Sequence, residues 1–232
     1  MTPIRPPSAP KPKKKRSASS ARWLHRQHTD PYVAEARRRG YRSRAAFKLI
    51  ELDDRFRLLK PGARVVDLGA APGGWTQVAV ERVRPETSRG AVLSVDIAAF
   101  DPIAGAETIA ADIFAPELPD LVRQHLQGPA DVVLSDMAPS ASGHAGADHL
   151  RIIGLAEAAL ELATAILAPG GSFVCKVWQG GATPDLLAAL KRLFATVRHA
   201  KPPASRAESA ELYVVATGFR PETGEAPAPT SR

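Results

Sequence analysis

The chain has 232 residues, 44% of them hydrophobic, enough for one α/β domain with a full core plus tails. Its single cysteine, Cys175, excludes an internal disulfide and a cysteine-only zinc site, and its apolar surroundings read as those of a buried core thiol. No apolar run reaches spanning length and the first 22 residues carry no apolar signal core, so a soluble cytoplasmic protein is expected.

The net charge of +7 is unevenly placed. Residues 1–60 hold 17 Lys or Arg against 5 Asp or Glu, whereas residues 61–232 hold 14 against 19. A basic front on a mildly acidic body points to a polyanion docked by one end. Nucleic acid fits better than an anionic membrane, because the basic stretch has no strong amphipathic apolar face.

Residues 1–22 contain seven basic side chains and no acid, and Pro3, Pro6, Pro7, Pro10 and Pro12 block helix and sheet. This reads as a disordered tail whose Lys11, Lys13, Lys14, Lys15 and Arg16 contact phosphates without sequence choice, or else merely solubilise the chain. A short helical region follows over 23–39, ended by Gly40. A second helix opens near residue 41 with Ser43 as N-cap, and Ala46, Phe47, Ile50, Leu52 and Phe56 roughly keep helical spacing. Lys48 lies within that apolar set, where a lysine ordinarily snorkels its ammonium to the surface.

The next stretch, Val65-Val66-Asp67-Leu68-Gly69-Ala70-Ala71-Pro72-Gly73-Gly74-Trp75, reads as strand, tight loop, then a helix to about Val83. Small residues let the backbone approach a ligand, and the helix N-terminus points free N–H groups into the same space. A nucleotide-like ligand is expected at the carboxyl end of this strand. The spacing is neither the dinucleotide G-x-G-x-x-G nor a P-loop, since Ala71 breaks the first and no Gly-Lys-Ser/Thr follows for the second.

Residues 91–96 form a second strand ending in Asp96, well placed for the two hydroxyls of a ribose. Residues 108–113 give a third with Asp112, and residues 131–139 a fourth running into a loop at Asp136. Four acids at strand carboxyl ends (67, 96, 112 and 136) are poorly explained by structure alone. Residues 143–147 read as a mobile loop; His144 and His149 lack ligand-spaced partners, so both read as solvated loop residues and no metal is expected. An amphipathic helix over 148–167 leads to an apolar strand, 172–178, interrupted only by Lys176. A lone ammonium there must be paired, neutral or reach a site, and Asp136 beside it would satisfy that constraint. A helix over 184–194, a loop over 201–206 and a last strand over 211–218 complete the order, and the tail from Pro221 reads as disordered.

Strands and helices alternate from 63 to 194, then two strands close the chain. That is a doubly wound, mostly parallel sheet with an antiparallel hairpin at its end. One domain over 23–220 is expected, with 23–60 its helical part facing the nucleic acid and 61–220 its sheet core.

These motifs resemble the FtsJ-type ribose 2′-O-methyltransferases. The family loop D-L-G-A-A-P-G-G-W is matched in full at 67–75, and S-R-A-x-F-K-L at 43–49. Residues 17–20 and 22–24 also look like its bacterial ribosomal RNA branch, so the resemblance spans roughly 13 to 220. It implies a Rossmann-like class I fold with seven strands, one of them antiparallel, flanked by helices. It also implies S-adenosylmethionine held by Asp67, Gly69, Gly73, Trp75, Asp96 and Asp136, with Asp112 on the adenine and Ile113 packed beside it. The family often has Gly-Asp-Phe where this chain has Ala111-Asp112-Ile113, so adenine packing differs in detail.

Methyl transfer to a ribose hydroxyl needs in-line positioning and a base for a weakly acidic proton. A lysine can serve only as the free amine; burial and nearby cations favour that form, and nearby carboxylates oppose it. By resemblance, a Lys–Asp–Lys–Glu tetrad falls on Lys48, Asp136, Lys176 and Glu211, with Lys176 taking the proton, Asp136 orienting it, and Lys48 and Glu211 fixing the ribose. Glu211 is preferred over Glu208 because the family pattern is Glu, an aliphatic residue, then Tyr, here Leu212 and Tyr213. The implied target is a uridine in the A-loop of 23S rRNA on the assembled large subunit, methylated by a monomer. The alternatives left open are tRNA 2′-O-methylation and a catalytically silent RNA-binding assembly factor. The close bacterial match argues against the first, and a lysine inside the 174–177 strand against the second.

Overall fold

The computed structural model describes residues 30–139, 145–178 and 183–221. The tails, residues 23–29 and His144 therefore lie outside the described residues. Helix α1 (Pro31–Arg39) starts where the Asp30 carboxylate accepts the Tyr32 N–H at 3.0 Å, and it ends at Gly40 in the left-handed region. Helix α2 (Ala45–Phe56) has Arg44 at its N-cap position and no side-chain cap. Ser43 is not the expected N-cap, because its carbonyl accepts from Ala46 N–H in a tight turn and its hydroxyl fills the space beside Gly74.

The core elements follow as β1 (Arg64–Leu68), α3 (Gly74–Val83), β2 (Ala91–Asp96), β3 (Glu107–Ala110), α4 (Leu118–Leu126) and β4 (Ala130–Ser135). Then come α5 (Ala145–Ile166), β5 (Leu167–Trp178), α6 (Pro184–Leu193), β6 (Phe194–Ala200) and β7 (Glu211–Phe219). They build a seven-stranded sheet in the order β3-β2-β1-β4-β5-β7-β6, with β7 antiparallel to both neighbours and every other pair parallel. The expected terminal hairpin is β6–β7, and β7 is slotted between β5 and β6. Strand order reverses between β1 and β4, which opens a crevice at their carboxyl ends.

Side chains alternate across the sheet, so each strand feeds two apolar layers. On one face Val65, Val92, Leu134, Val174 and Tyr213 pack under Leu49 and Leu52 of α2 and Trp75 and Val78 of α3. On the other, Val66, Leu93, Val133, Phe173 and Val214 pack under α4, α5 and α6.

Three boundaries differ from the sequence reading. Helix α5 already starts at Ala145, so His149 is a helical residue whose ring lies 6.2 Å from that of Trp178, not a loop residue. Strand β3 stops at Ala110, its last bond to β2 running from the Ala111 N–H to the Asp96 carbonyl, and Asp112 follows in the loop. Strand β5 starts at Leu167 and absorbs Gly170 and Gly171, with a register shift against Ala130 and Val132. Among the described residues no helix is long and apolar enough to cross a membrane.

Phe173 is 1% exposed in the centre of its layer and stacks on Phe194. Phe173→Ala is expected to cost about 3–5 kcal/mol of stability, read as a lowered urea midpoint. Leu150→Ser, at a position 71% exposed, should leave that midpoint in place.

Candidate active site

A cavity of about 670 Å³ opens at the carboxyl ends of β1, β2 and β4. This is the size range of a small-ligand pocket. Gly69, Asp96, Asp112 and Asp136 all line it, together with Ile97, Phe114 and Met137 and, from α5, Arg151, Gly154 and Leu155. Asp96 does two jobs at its mouth: one carboxylate oxygen accepts the Ala71 N–H at 2.8 Å and the other the Ala98 N–H at 2.8 Å. Asp112 accepts the Phe114 N–H at 3.1 Å. Ile97 and Phe114 are 77% and 65% exposed, large apolar side chains left uncovered on the cavity wall. The sequence reading missed both; the signal was an apolar residue within two positions after each strand-end acid.

Gly73, Trp75 and Asp67, also expected at the cofactor, do not line the cavity but brace its wall from behind. Gly73, at φ 107°, is pressed against Ile103 and Arg42. The Trp75 indole is buried, donates to the Ala45 carbonyl at 2.8 Å and lies 5.6 Å from the Tyr213 ring. Any contact from Gly73 or Trp75 to a ligand therefore runs through the backbone. Asp67 is 1% exposed and accepts the Thr76 hydroxyl at 2.7 Å, with Ser94 3.0 Å from Thr76 and Asp67 Oδ1 unpartnered. Burial pushes its carboxyl up to about 7, partly opposed by Thr76 and reinforced by Asp136 and Asp96.

Beside the cavity the structure gathers Lys48, Asp136, Lys176 and Glu211. Lys176 and Tyr213 face each other across β5 and β7, as do Trp178 and Glu211, so the sheet places them on the α2 side. Lys176 Nζ donates to Asp136 Oδ1 at 2.9 Å and to the Asp136 carbonyl at 2.6 Å, and stands 3.9 Å from Glu211. Lys48 Nζ lies 2.8 Å from both Glu211 oxygens and 3.9 Å from Asp136. Glu208, the rejected alternative, is exposed and outside this cluster.

Two further groups hold the carboxylates, and sequence reasoning did not give them that role. The Tyr213 hydroxyl donates to Asp136 Oδ1 at 2.6 Å, and the Ser205 hydroxyl to Glu211 Oε1 at 2.8 Å. Burial pushes the Asp136 carboxyl up, but Lys176, Lys48 and the Tyr213 bond outweigh it and hold it below the usual range. Burial and the two carboxylates push the Tyr213 hydroxyl well above 10, so it remains a donor.

A parallel sheet with a reversed strand order, one inserted antiparallel strand and a cavity at the reversal defines a Rossmann-like methyltransferase. A model of the FtsJ-like methyltransferase family matches residues 41–219, and the chain belongs to that family. It is 62% identical over 209 residues to the ribosomal RNA large subunit methyltransferase E of Paramagnetospirillum magneticum, covering 89% of this chain and 86% of that one. The protein of the same name from Gluconobacter oxydans is 59% identical over 207 residues, covering 89% and 75%. A solved structure from Plasmodium falciparum, described as a ribosomal RNA methyltransferase, is 31% identical with a TM-score of 0.69, covering 77% of this chain and 98% of that one.

The two buried aspartates pull stability in opposite directions. Asp67 binds its proton more tightly when folded, so its contribution falls as pH rises from about 4 towards about 7 and is flat above. Asp136, shifted down, loses its contribution only as pH falls through its folded pKa, below that window. Asp67→Asn should therefore gain on the wild type between about pH 4 and 7, by on the order of a few kcal/mol, and hold that gain above. Thermal melts of both proteins across that range check it; parallel curves would contradict the buried-acid assignment.

Proposed function

We propose that this protein transfers a methyl group from S-adenosylmethionine to the ribose 2′-hydroxyl of a uridine in 23S rRNA. The A-loop of the assembled large subunit is the target, and the enzyme works as a cytoplasmic monomer. The observation that carries the reading is the Lys176 side chain, buried in a strand and bonded to Asp136, which lines the cavity. The names and extensive identity of the bacterial relatives support the ribosomal substrate.

The cavity's lining suits the cofactor. Asp96 retains acceptor capacity for ribose hydroxyls, while Ile97, Ile113 and Phe114 offer apolar surface to a purine beside Asp112. When bound, S-adenosylmethionine supplies an electrophilic methyl on a sulfonium. Lys176, as the free amine, would take the hydroxyl proton at Nζ, the oxygen gaining the methyl as the methyl–sulfur bond breaks and an uncharged thioether is left. Asp136, fixed by Tyr213, holds that amine in direction. Lys48, tied to Glu211, lies within the same cluster, where it can hold the ribose through a hydrogen bond. The exposed Arg37, Arg38 and Arg39 at the end of α1 continue the basic front that attracts phosphates.

Tritiated S-adenosylmethionine with large subunits, naked rRNA and bulk tRNA from cells lacking the enzyme tests the reading. Label on one 2′-O-methyluridine of large subunits is expected. Label confined to tRNA would move the substrate, and no label with cofactor bound would leave only a binding role. Lys176→Ala should lower turnover by about 10²- to 10⁴-fold with cofactor affinity nearly unchanged. Turnover close to wild type would refute Lys176 as the base.

A further inference from the structure

Arg42 belongs by charge to the basic front, and as an exposed arginine it would be counted among the RNA contacts. Its bonds say otherwise. The guanidinium donates to the Pro72 carbonyl at 3.2 Å, to the Pro102 carbonyl at 2.7 Å and to the Asp101 carbonyl. Pro72 belongs to the glycine loop after β1, and residues 101–102 to the loop after β2. These are the two loops that Asp96 joins on the cavity side through the Ala71 N–H.

The segment behind the guanidinium is anchored as well. The Arg42 N–H donates to Gln77 Oε1 at 2.8 Å, and Gln77 Nε2 donates to the Gly40 carbonyl at 2.9 Å, so α3 grips both sides of residue 41. A second observation agrees: a side chain at Gly73 would collide with Ile103 and press tightly on Arg42, so the loop is seated close against the guanidinium.

We propose that Arg42 is a positioning residue for the cofactor, a clip that closes the β1 and β2 loops from outside the cavity, and not a contact to RNA. The inference rests on the reading of the cavity as the S-adenosylmethionine site. A planar fork holds three carbonyls on two loops with two nitrogens, which a single ammonium cannot match in number or direction. Arg42→Lys keeps the charge and removes the second nitrogen, the one that reaches the Pro102 carbonyl. Losing charge-assisted bonds of this kind should weaken cofactor affinity by about tenfold or more. An RNA contact predicts the reverse pattern: intact cofactor affinity, weaker RNA binding, and, for Arg42→Ala, a salt slope reduced by about 1.

The experiment is calorimetric titration of S-adenosylmethionine into wild type, Arg42→Lys and Gln77→Leu, with KM for cofactor and for ribosomal particles measured separately. Wild type must bind; if it does not, the cofactor reading itself fails. The clip predicts a raised cofactor Kd and KM in Arg42→Lys, a smaller rise in Gln77→Leu, and an unchanged KM for particles. Unchanged cofactor affinity in Arg42→Lys, or a raised particle KM alone, overturns it. Should Arg42→Lys not fold, Gln77→Leu decides: cofactor affinity equal to wild type then counts against the clip.

Discussion

Four charged side chains buried at one edge of the sheet impose the constraint that the neighbouring structure answers. Lys48, Lys176, Asp136 and Glu211 keep only 8–15% of their side-chain surface exposed. Two lysines and two acids make up the set, and each lysine Nζ stands within 4 Å of both carboxyl groups. Removing one member of such a set leaves the others short of compensation in a poorly solvated place, typically at a cost of about 3–5 kcal/mol. Tyr213 and Ser205 donate into the set, which raises the acceptor occupancy of both carboxylates without adding charge.

That constraint accounts for the antiparallel strand in an otherwise parallel sheet. Glu211 is the first residue of β7, and Lys176 lies near the end of β5. In a parallel strand the first residue would sit at the opposite edge from the strand ends where Asp136 and Lys176 lie. The antiparallel β7 brings its start to that edge, so Glu211 comes opposite Trp178 and Tyr213 opposite Lys176. Helix α2 then closes the set from above: Leu49 and Leu52 anchor it on the sheet, and Lys48, just before them, reaches Glu211.

Much of this could be read from residues alone. Short β-branched runs ending in an acid located β1, β2 and β4 within a residue or so, and the apolar strand around Lys176 demanded a partner that proved to be Asp136. What escaped were matters of direction. Nothing in a D-L-G-A-A-P-G-G-W string says whether Gly73 and Trp75 face a ligand or the protein; here Gly73 meets Arg42 and Ile103, and the Trp75 indole reaches Ala45. Tyr213 served in the sequence only as a marker for Glu211, since its bond to Asp136 spans 77 positions. Ser43 looked like a cap on local grounds, and a tight turn around it, closed against Gly74, overrode the propensity.

The strand-end acids, alike in sequence, diverge for a stated physical reason. Asp136 and Asp67 are both buried, at the ends of adjacent strands β4 and β1. Asp136 has two lysines and a phenol in reach, so burial loses and its carboxylate stays charged. Asp67 has only the hydroxyl and backbone of Thr76, so burial wins and its proton is held to about pH 7. Asp96, at the end of β2, meets backbone N–H groups instead and is spent in part on shaping the loop it faces. One residue type at equivalent positions thus serves as a charged orienter, a near-neutral brace and a loop fastener. The distinction comes entirely from which donors the neighbouring elements present, which is why position in a motif was a good guide to where these acids act and a poor guide to how.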